Sequence, residues 1–514
     1  MRCRRIVRGL ACLVLATLAT AGGGGAAQGR PQAATQGATQ AATQGAEVDP
    51  SRFGARCDRQ HDDSAAFDAA LAAAIGGAAS ANGGAVLAVP AGRCRLSHAL
   101  VAHLAAQTAL VVRGQGMFVS ELVQTGGTDG LDFIFPAGGS QDARTAAAPG
   151  QSVQVRDLSI VQADPGARTI GRGLALIGPD PQHSKVPFTA ELIEHVEFRA
   201  QLGSGVAGRP LSTTQNWASD ITIEDVGNVR ITDGEIVHYD YGDGSERDID
   251  IISRSPRNRL EANAPGGISI MREDILGGHV GIDVEGNNIQ GVSVLDTPIT
   301  AVAHAVLWNA AAQGTGFNGP LVVRDSSISA QADGIVAAGI SSIFITDNLI
   351  IDGQPRRGTN WCGICLDSAW AAVVSNNILE NMPNTATLGP GLAATGLRLD
   401  GWPERYPSVV ADNSIGPADV GLALGGPIAA SNNILLLAPS VPETCYRDIS
   451  RDETHPALTQ LMCGAHRIDR GPAAAAAPAS DHTPCIPGQE AWDQHFAYRC
   501  VAPDRWRRTA LSDW

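Results

Sequence analysis

Positive charge is scarce in this sequence. Lys185 is its only lysine, and 37 basic side chains face 52 acidic ones for a formal charge of −15. That balance argues against a nucleic-acid partner, whose phosphates require a basic surface. A local arginine cluster or a bound cation could still hold an anionic glycan. No stretch reaches the ~18 consecutive apolar residues of a membrane span, so stable membrane insertion is not expected. Aromatic residues make up only 4% of the chain, whereas glycine numbers 59 and 44% of residues are hydrophobic. A chain poor in rings and rich in glycine suits short strands joined by tight turns better than packed helices. Its 514 residues suffice for one large core or several ordinary domains.

The N-terminus reads as a signal peptide over residues 1–21. Arg2, Arg4, Arg5 and Arg8 precede an apolar run from Leu10 to Leu18 and the small residues Ala19-Thr20-Ala21. Residues 22–47 follow as a low-complexity linker of Ala-Thr-Gln-Gly units, with nothing to build a core. A secreted or periplasmic location is therefore expected. Cys3 and Cys12 belong to the leader, and the remaining eight cysteines are an even number in an oxidising compartment. Their order suggests the pairs Cys57–Cys94, Cys362–Cys365, Cys445–Cys463 and Cys485–Cys500. No thioredoxin-like βαβ pattern surrounds Cys362-x-x-Cys365, which reads as a structural bridge or as two free thiols.

Between about residues 150 and 436 the chain is self-similar. A unit of glycine, aliphatic, any residue, aliphatic recurs at Gly281, Gly334, Gly363, Gly396 and Gly421, and His304-Ala305-Val306-Leu307 fits the frame without its glycine. A second unit places Asn348, Asn376, Asn413 and Asn432 two residues before Ile350, Ile378, Ile415 and Ile434. Asparagine tolerates the left-handed backbone of a sharp turn, and its amide can bond the same amide one coil away. The Leu-x-x-Leu-x-Leu frame of leucine-rich repeats is absent. These features predict an all-β right-handed parallel β-helix over residues 48–438, one coil per repeat. Residues 439–514 lose the frame and carry four cysteines, reading as a disulfide-tied cap or a glycan-binding tail.

The start of the coil region carries a family resemblance. Phe53-Gly54-Ala55-Arg56-Cys57-Asp58, Asp62-Asp63-Ser64, Gly83-Gly84-Ala85-Val86-Leu87, Val89-Pro90-Ala91-Gly92-Arg93-Cys94 and Leu110-Val111-Val112-Arg113-Gly114 resemble the opening motif of the pectate-lyase-like superfamily, as found in rhamnogalacturonase- and epimerase-like proteins. The resemblance covers residues 48–125 and implies the β-helix fold. That superfamily hosts lyases, hydrolases, epimerases and phage tail proteins, so the fold alone does not choose the chemistry. The same stretch predicts a helix after Asp62-Asp63, with Phe67, Leu71 and Ile75 as its apolar stripe, plugging the open end of the solenoid.

Alternation along the glycine-led strands selects the candidate chemistry. If the aliphatic positions point inward, the second and fourth residues after the glycine point out. That rule exposes Asp283 and Glu285, Trp308, Asp367, Arg398 and Asp400. Asp367 and Asp400 then stack on neighbouring coils with Arg398 beside them, and two close carboxylates favour one shared proton, as a glycosidic acid–base pair needs. Trp370, Trp402 and Tyr406 lie near enough in sequence to offer sugar-stacking rings, while the alternative is that acids end strands and rings pack loops. Polygalacturonase-type hydrolases use Asp-Asp and Arg-Ile-Lys motifs that are missing here; the nearest equivalents are His279 to Asp283, His304-Ala305 and Asp333-Gly334. Asp240, Asp243, Asp248 and Asp250, with Glu246 and Arg247 among them, are dense in oxygen ligands and could hold Ca2+, or form a solvated acidic loop. The expectation is a polysaccharide glycosidase or lyase working along the solenoid, with a non-catalytic glycan-binding or surface structural β-helix as the alternative.

Overall fold

The computed structural model describes residues 46–80, 84–105, 108–136, 152–163, 171–179, 188–200, 217–238, 246–254, 266–301, 303–310, 318–353, 359–380, 388–390, 392–401, 407–436, 444–450, 456–463, 466–470, 480, 490–492, 496–502 and 505–510. The leader, nearly all of the linker, Lys185, Asp240, Asp243, Trp402, Tyr406 and Cys485 lie outside them.

The chain winds as a right-handed parallel β-helix. Each coil contributes one short strand to each of three ladders. A representative coil runs through Gln290–Leu295, Ile299–Ala301 and His304–Asn309, and the next through Leu321–Arg324, Ser327–Ala330 and Asp333–Ala338. These strands pair in parallel with their counterparts one coil on, as Val294 with Val323, Ile299 with Ile328 and Val306 with Ile335. Adjacent coils are therefore spaced by about 4.8 Å. One side chain per coil forms each interior stack: Ile221, Ile249, Ile282, Val306, Ile335, Ile364, Leu397 and Leu422 are all completely buried. Continuous burial of this kind stabilises by roughly 1.5–3 kcal/mol per large aliphatic side chain.

The turn between the first and second ladders uses the same device coil after coil. A residue with left-handed backbone comes first (Asp325 at φ 55°, Asp347 at 61°, Asn376 at 58°, Asp412 at 58°, Asn432 at 55°), and a buried polar residue follows. The stacked asparagines are Asn348, Asn377, Asn413 and Asn433, the first three each donating from Nδ2 to the next Oδ1 at 2.9 Å. The expected ladder of Asn348, Asn376, Asn413 and Asn432 is thus corrected at two rungs. Where Asn-Asn precedes two aliphatic residues, the second asparagine turns inward, Leu379 and Leu435 are buried, and Ile378 and Ile434 are exposed.

The expected helix spans Ser64–Ser80 and closes the N-terminal end. Asp62 Oδ1 accepts from the Ser64 backbone N–H at 3.1 Å, which caps the helix. Asp63 instead accepts from Arg56 and Cys57 N–H at 2.7 and 3.0 Å, tying the preceding loop to the helix start. Phe67 and Leu71 are buried as expected, and Ala66, Ala70, Ala74 and Ala78 complete the inward face. Small residues there let the helix lie close against the first coils.

Disulfides join Cys57 to Cys94, Cys362 to Cys365 and Cys445 to Cys463. Disulfides of this kind persist in oxidising compartments. The coils continue past residue 438, since Thr444–Asp448 joins the third ladder in parallel with Val420–Gly425. Ala457–Cys463 then pairs antiparallel with His466–Arg470, and Glu490–Trp492, Phe496–Ala502 and Arg505–Ala510 form a separate antiparallel sheet. Among the described residues no helix is long and apolar enough to cross a membrane.

Candidate functional site

The outer face of the third ladder collects the charged groups that could do chemistry. On each strand an aliphatic pair faces the core and the residue between them lies on the opposite side of the ladder, where Thr222 and Asp283 are themselves buried and Asp250 is half-buried. In the strand Val280–Gly286 these are Ile282, Asp283 and Val284; in Arg247–Ser253 they are Ile249, Asp250 and Ile251; in Ser219–Glu224 they are Ile221, Thr222 and Ile223. Asp250 is the register partner of Asp283, and Ile252 that of Glu285. Two acids expected in separate roles, Asp250 as a calcium ligand and Asp283 as a sugar contact, are therefore neighbours on consecutive coils.

Arg247 orders this group. Its Nε donates to Asp283 Oδ2 at 2.6 Å, and its Nη2 lies 3.5 Å from Glu285 Oε1. A charge-assisted bond of this length fixes one carboxylate of the pair. Asp250 is pushed up to about 7, first by burial and then by the neighbouring Asp283, with Arg247 opposing. One coil earlier Glu224 Oε1 pairs with Arg254 Nη1 at 2.6 Å. Further toward the N-terminus, Arg172 Nη2 bonds Asp129 at 2.5 Å and reaches Asp132 at 3.3 Å. Burial pushes Asp132 up to about 7, against the pull of Arg172.

The pair expected farther along the face is arranged differently. Asp367 and Asp400 are register partners, as the repeat frame requires. Arg398 Nη2, however, lies 2.9 Å from Asp367 Oδ1, in an ion pair whose two side chains are 42% and 40% exposed. Asp400 is buried. The two carboxylates thus sit in unlike surroundings, Asp367 half-exposed against Arg398 and Asp400 buried. The pair stands three coils from Asp283, roughly 14 Å along the axis.

Trp308 is corrected outright. It is completely buried in the core and cannot stack on a sugar. Val280 pairs with His304, so Ala305, not His304, occupies the glycine position of its coil. The frame shifts by one residue, Val306 and Trp308 turn inward, and Leu307 and Asn309 take the outer row. His304 Nδ1 meets Asp333 Oδ2 at 3.0 Å on that coil edge. Trp370 is partly buried beyond the strand Trp361–Ala369, its backbone N–H bonded to the Ile340 carbonyl.

Of the expected calcium ligands, Asp240 and Asp243 lie outside the described residues, and Asp248 and Asp250 are described. Asp248 is completely buried at the corner before the third ladder, where it lies 3.5 Å from His238. Asp250 belongs to the outer face, so the two carboxylates occupy different environments. The sequence reading missed Asp220 and His238, which meet Asp248 at that corner. It also missed the pairing of Asp250 with Asp283. The signal for the pairing was the alternation Ile249-Asp250-Ile251 matching Ile282-Asp283-Val284, concealed because Asp248 stands where other coils carry glycine.

Comparison with known proteins adds shape only. No family model matches the chain, and no curated protein matches it. Its structure is similar to that of PfbA, a surface adhesin of Streptococcus pneumoniae, at 12% identity over 90% of this chain and 100% of that one, with a TM-score of 0.45. It is similar to bacteriophage CBA120 tailspike protein 3 at 14% identity, over 88% of this chain and 67% of that one, with a TM-score of 0.47. It is also similar to the DFA-IIIase of Arthrobacter chlorophenolicus at 14% identity, over 81% and 93% of the two chains, with a TM-score of 0.41. None of these gives a residue of this chain a role.

Proposed function

We propose that this chain is a secreted carbohydrate-active enzyme that cleaves a polysaccharide lying across the outer face of the third ladder. In this reading Asp250 is the proton donor and Asp283, anchored by Arg247, is its anionic partner. The observation that carries it is the stacking of Asp250 on Asp283, with the Arg247 guanidinium hydrogen-bonded to Asp283. Two carboxylates in unlike surroundings are the arrangement that splits acid and base roles at a glycosidic bond. Glu285, at the edge of the same group, is positioned to contact a sugar hydroxyl. A solenoid face repeats its chemistry about every 4.8 Å, which suits a long polymer better than a compact ligand. The exposed Asp367–Arg398 pair would then be a distal contact for the chain of sugars. A β-elimination mechanism is less well supported, because it requires a base beside a metal-bridged carboxylate and, of the expected calcium ligands among the described residues, Asp250 alone lies on this face.

The test is a panel of neutral and anionic polysaccharides incubated with purified protein, following new reducing ends and the absorbance of unsaturated uronides. Reducing ends without unsaturated product support hydrolysis, and unsaturated product would replace it with elimination. Saturable binding with neither product would make the chain a glycan-binding β-helix.

A further inference from the structure

We infer that the corner formed by Asp220, His238 and Asp248 is a binding site for one first-row divalent metal ion of the Zn(II) or Mn(II) kind, clamping two consecutive coils from inside the solenoid.

The placement is unusual for this fold. In seven coils the position entering the third ladder carries glycine: Gly130, Gly173, Gly281, Gly334, Gly363, Gly396 and Gly421. A Cβ there collides with the neighbouring coil; at Gly334 it would stand 2.5 Å from the Gly363 carbonyl oxygen, and at Gly281 2.7 Å from that of Ala305. The coils of Ser219–Glu224 and Arg247–Ser253 put Asp220 and Asp248 in that position instead. On the following coil Gly278 makes room for them, because a Cβ there would lie 2.2 Å from Asp248 Oδ1.

The side chains are completely buried and incompletely satisfied. His238 Nε2 is 2.6 Å from Asp220 Oδ2, which leaves the other ring nitrogen, Nδ1, facing Asp248 Oδ1 at 3.5 Å. His238 Nδ1 and Asp220 Oδ1 lack a hydrogen-bond partner, and the Asp248 carboxylate has no side-chain partner, only the Gly278 backbone N–H set against it. One ligand atom from each of the three residues lies within 4.8 Å of the others. Buried orphans of this kind are costly, by about 1–3 kcal/mol each and more when charged. Glu246, also buried, adds a third carboxylate to the electrostatic field of the corner. Arg247, its neighbour in sequence, is committed to Asp283 and Glu285 on the outer face.

A divalent ion on His238 Nδ1 and Asp248 would satisfy those atoms, leaving Asp220 Oδ1 beside the site. One imidazole with carboxylates is a donor set for zinc or manganese, whereas calcium takes six to eight oxygens. With the ion on His238 Nδ1 and Asp248, the Asp220 carboxylate accepts from Nε2–H and orients the ring, as carboxylates behind metal-bound imidazoles do. Because the corner is closed to solvent, the ion would enter during folding and hold the two coils in register. Thr222 and Asp250 lie two residues beyond Asp220 and Asp248, so the clamp would also fix the strands that carry the outer face.

The test unfolds untagged full-length protein in chelator and refolds it with Zn(II), with Mn(II) or with chelator alone. Metal content is read by mass spectrometry after gel filtration, and stability by thermal unfolding. The expected result is one ion per chain from one of the metal arms, with a higher Tm than the chelated protein. Asp248→Asn and His238→Gln should lose the ion. Parent protein that takes up neither metal and melts identically in all arms overturns the site, and needs no variant to fold. Metal that binds the parent but persists in Asp248→Asn and His238→Gln also overturns it, by placing the ion elsewhere.

Discussion

Asn377→Ala and Asn376→Ala, two adjacent substitutions, should have very different costs. Asn377 is completely buried; its Oδ1 accepts from the Asn348 backbone N–H at 3.1 Å and from Asn348 Nδ2 at 2.9 Å. Its own Nδ2 donates to Asn413 Oδ1 and to the Ile345 carbonyl, both at 2.9 Å. Alanine would strand two donors of Asn348 inside the turn, each costing about 1–3 kcal/mol, for a total of about 2–6 kcal/mol. Asn376 is exposed and matters through its backbone, with φ at 58°. Alanine there meets only the left-handed penalty of about 1–2 kcal/mol, part of which asparagine already bears. Asn376→Gly should be close to neutral. Urea unfolding of the three variants against the parent decides the matter. A cost at Asn376 equal to or above that at Asn377 would refute the observed ladder and restore the frame in which Asn376 stacks.

Other consequences are equally direct. Trp308→Ala should destabilise by about 3–5 kcal/mol as a core cavity, while leaving polysaccharide binding by the folded protein unchanged. Replacing Cys57 with serine opens a loop closed over a sequence separation of 37 residues, and should cost about 4 kcal/mol in chemical unfolding. Stability should peak in mildly acidic solution. Burial raises Asp132 and Asp225 to about 7 and Glu273 to about 8, so the folded state holds protons the unfolded chain releases. Their contribution is fully present below about pH 4 and is lost as pH rises through 7 to 8. Asp62 and Asp233, lowered to about 2, act in the opposite sense, and their contribution is lost as pH falls from about 4 toward 2. A thermal-unfolding series from pH 3 to 9 should therefore show a maximum between these limits, and a midpoint rising steadily to pH 9 would contradict the burial assigned to these acids.

The winding of the chain was legible because it rests on periodicity, and periodicity survives small errors of frame. The glycine-led strands, the helix after Asp62-Asp63 and three cysteine pairs all emerge from spacing. Which residue of a repeat faces inward was less secure, since side-chain direction reverses with a shift of one. Ala305 could replace glycine without changing the look of the segment, and that hid the inward turn of Trp308. The runs Asn376-Asn377-Ile378-Leu379 and Asn432-Asn433-Ile434-Leu435 offer two frames each, and only packing selects between them. The acidic face was partly legible: Asp283 and Glu285 stood out from the frame, whereas Asp250 was grouped with its sequence neighbours instead of its spatial ones. The corner of Asp220, His238 and Asp248 was hidden for a related reason. Aspartate at a glycine position breaks the repeat that would have marked it, and His238 comes from a different ladder.

The most direct test of the functional account is turnover by Asp250→Asn beside Asp367→Asn, on whichever polysaccharide the parent degrades. Losing a general acid typically lowers kcat by about 10²–10⁴-fold. The account predicts a fall of that size for Asp250→Asn with the fold retained, and a far smaller change, mainly in KM, for Asp367→Asn. Full turnover by Asp250→Asn together with inactive Asp367→Asn would contradict it and move the chemistry three coils along the solenoid.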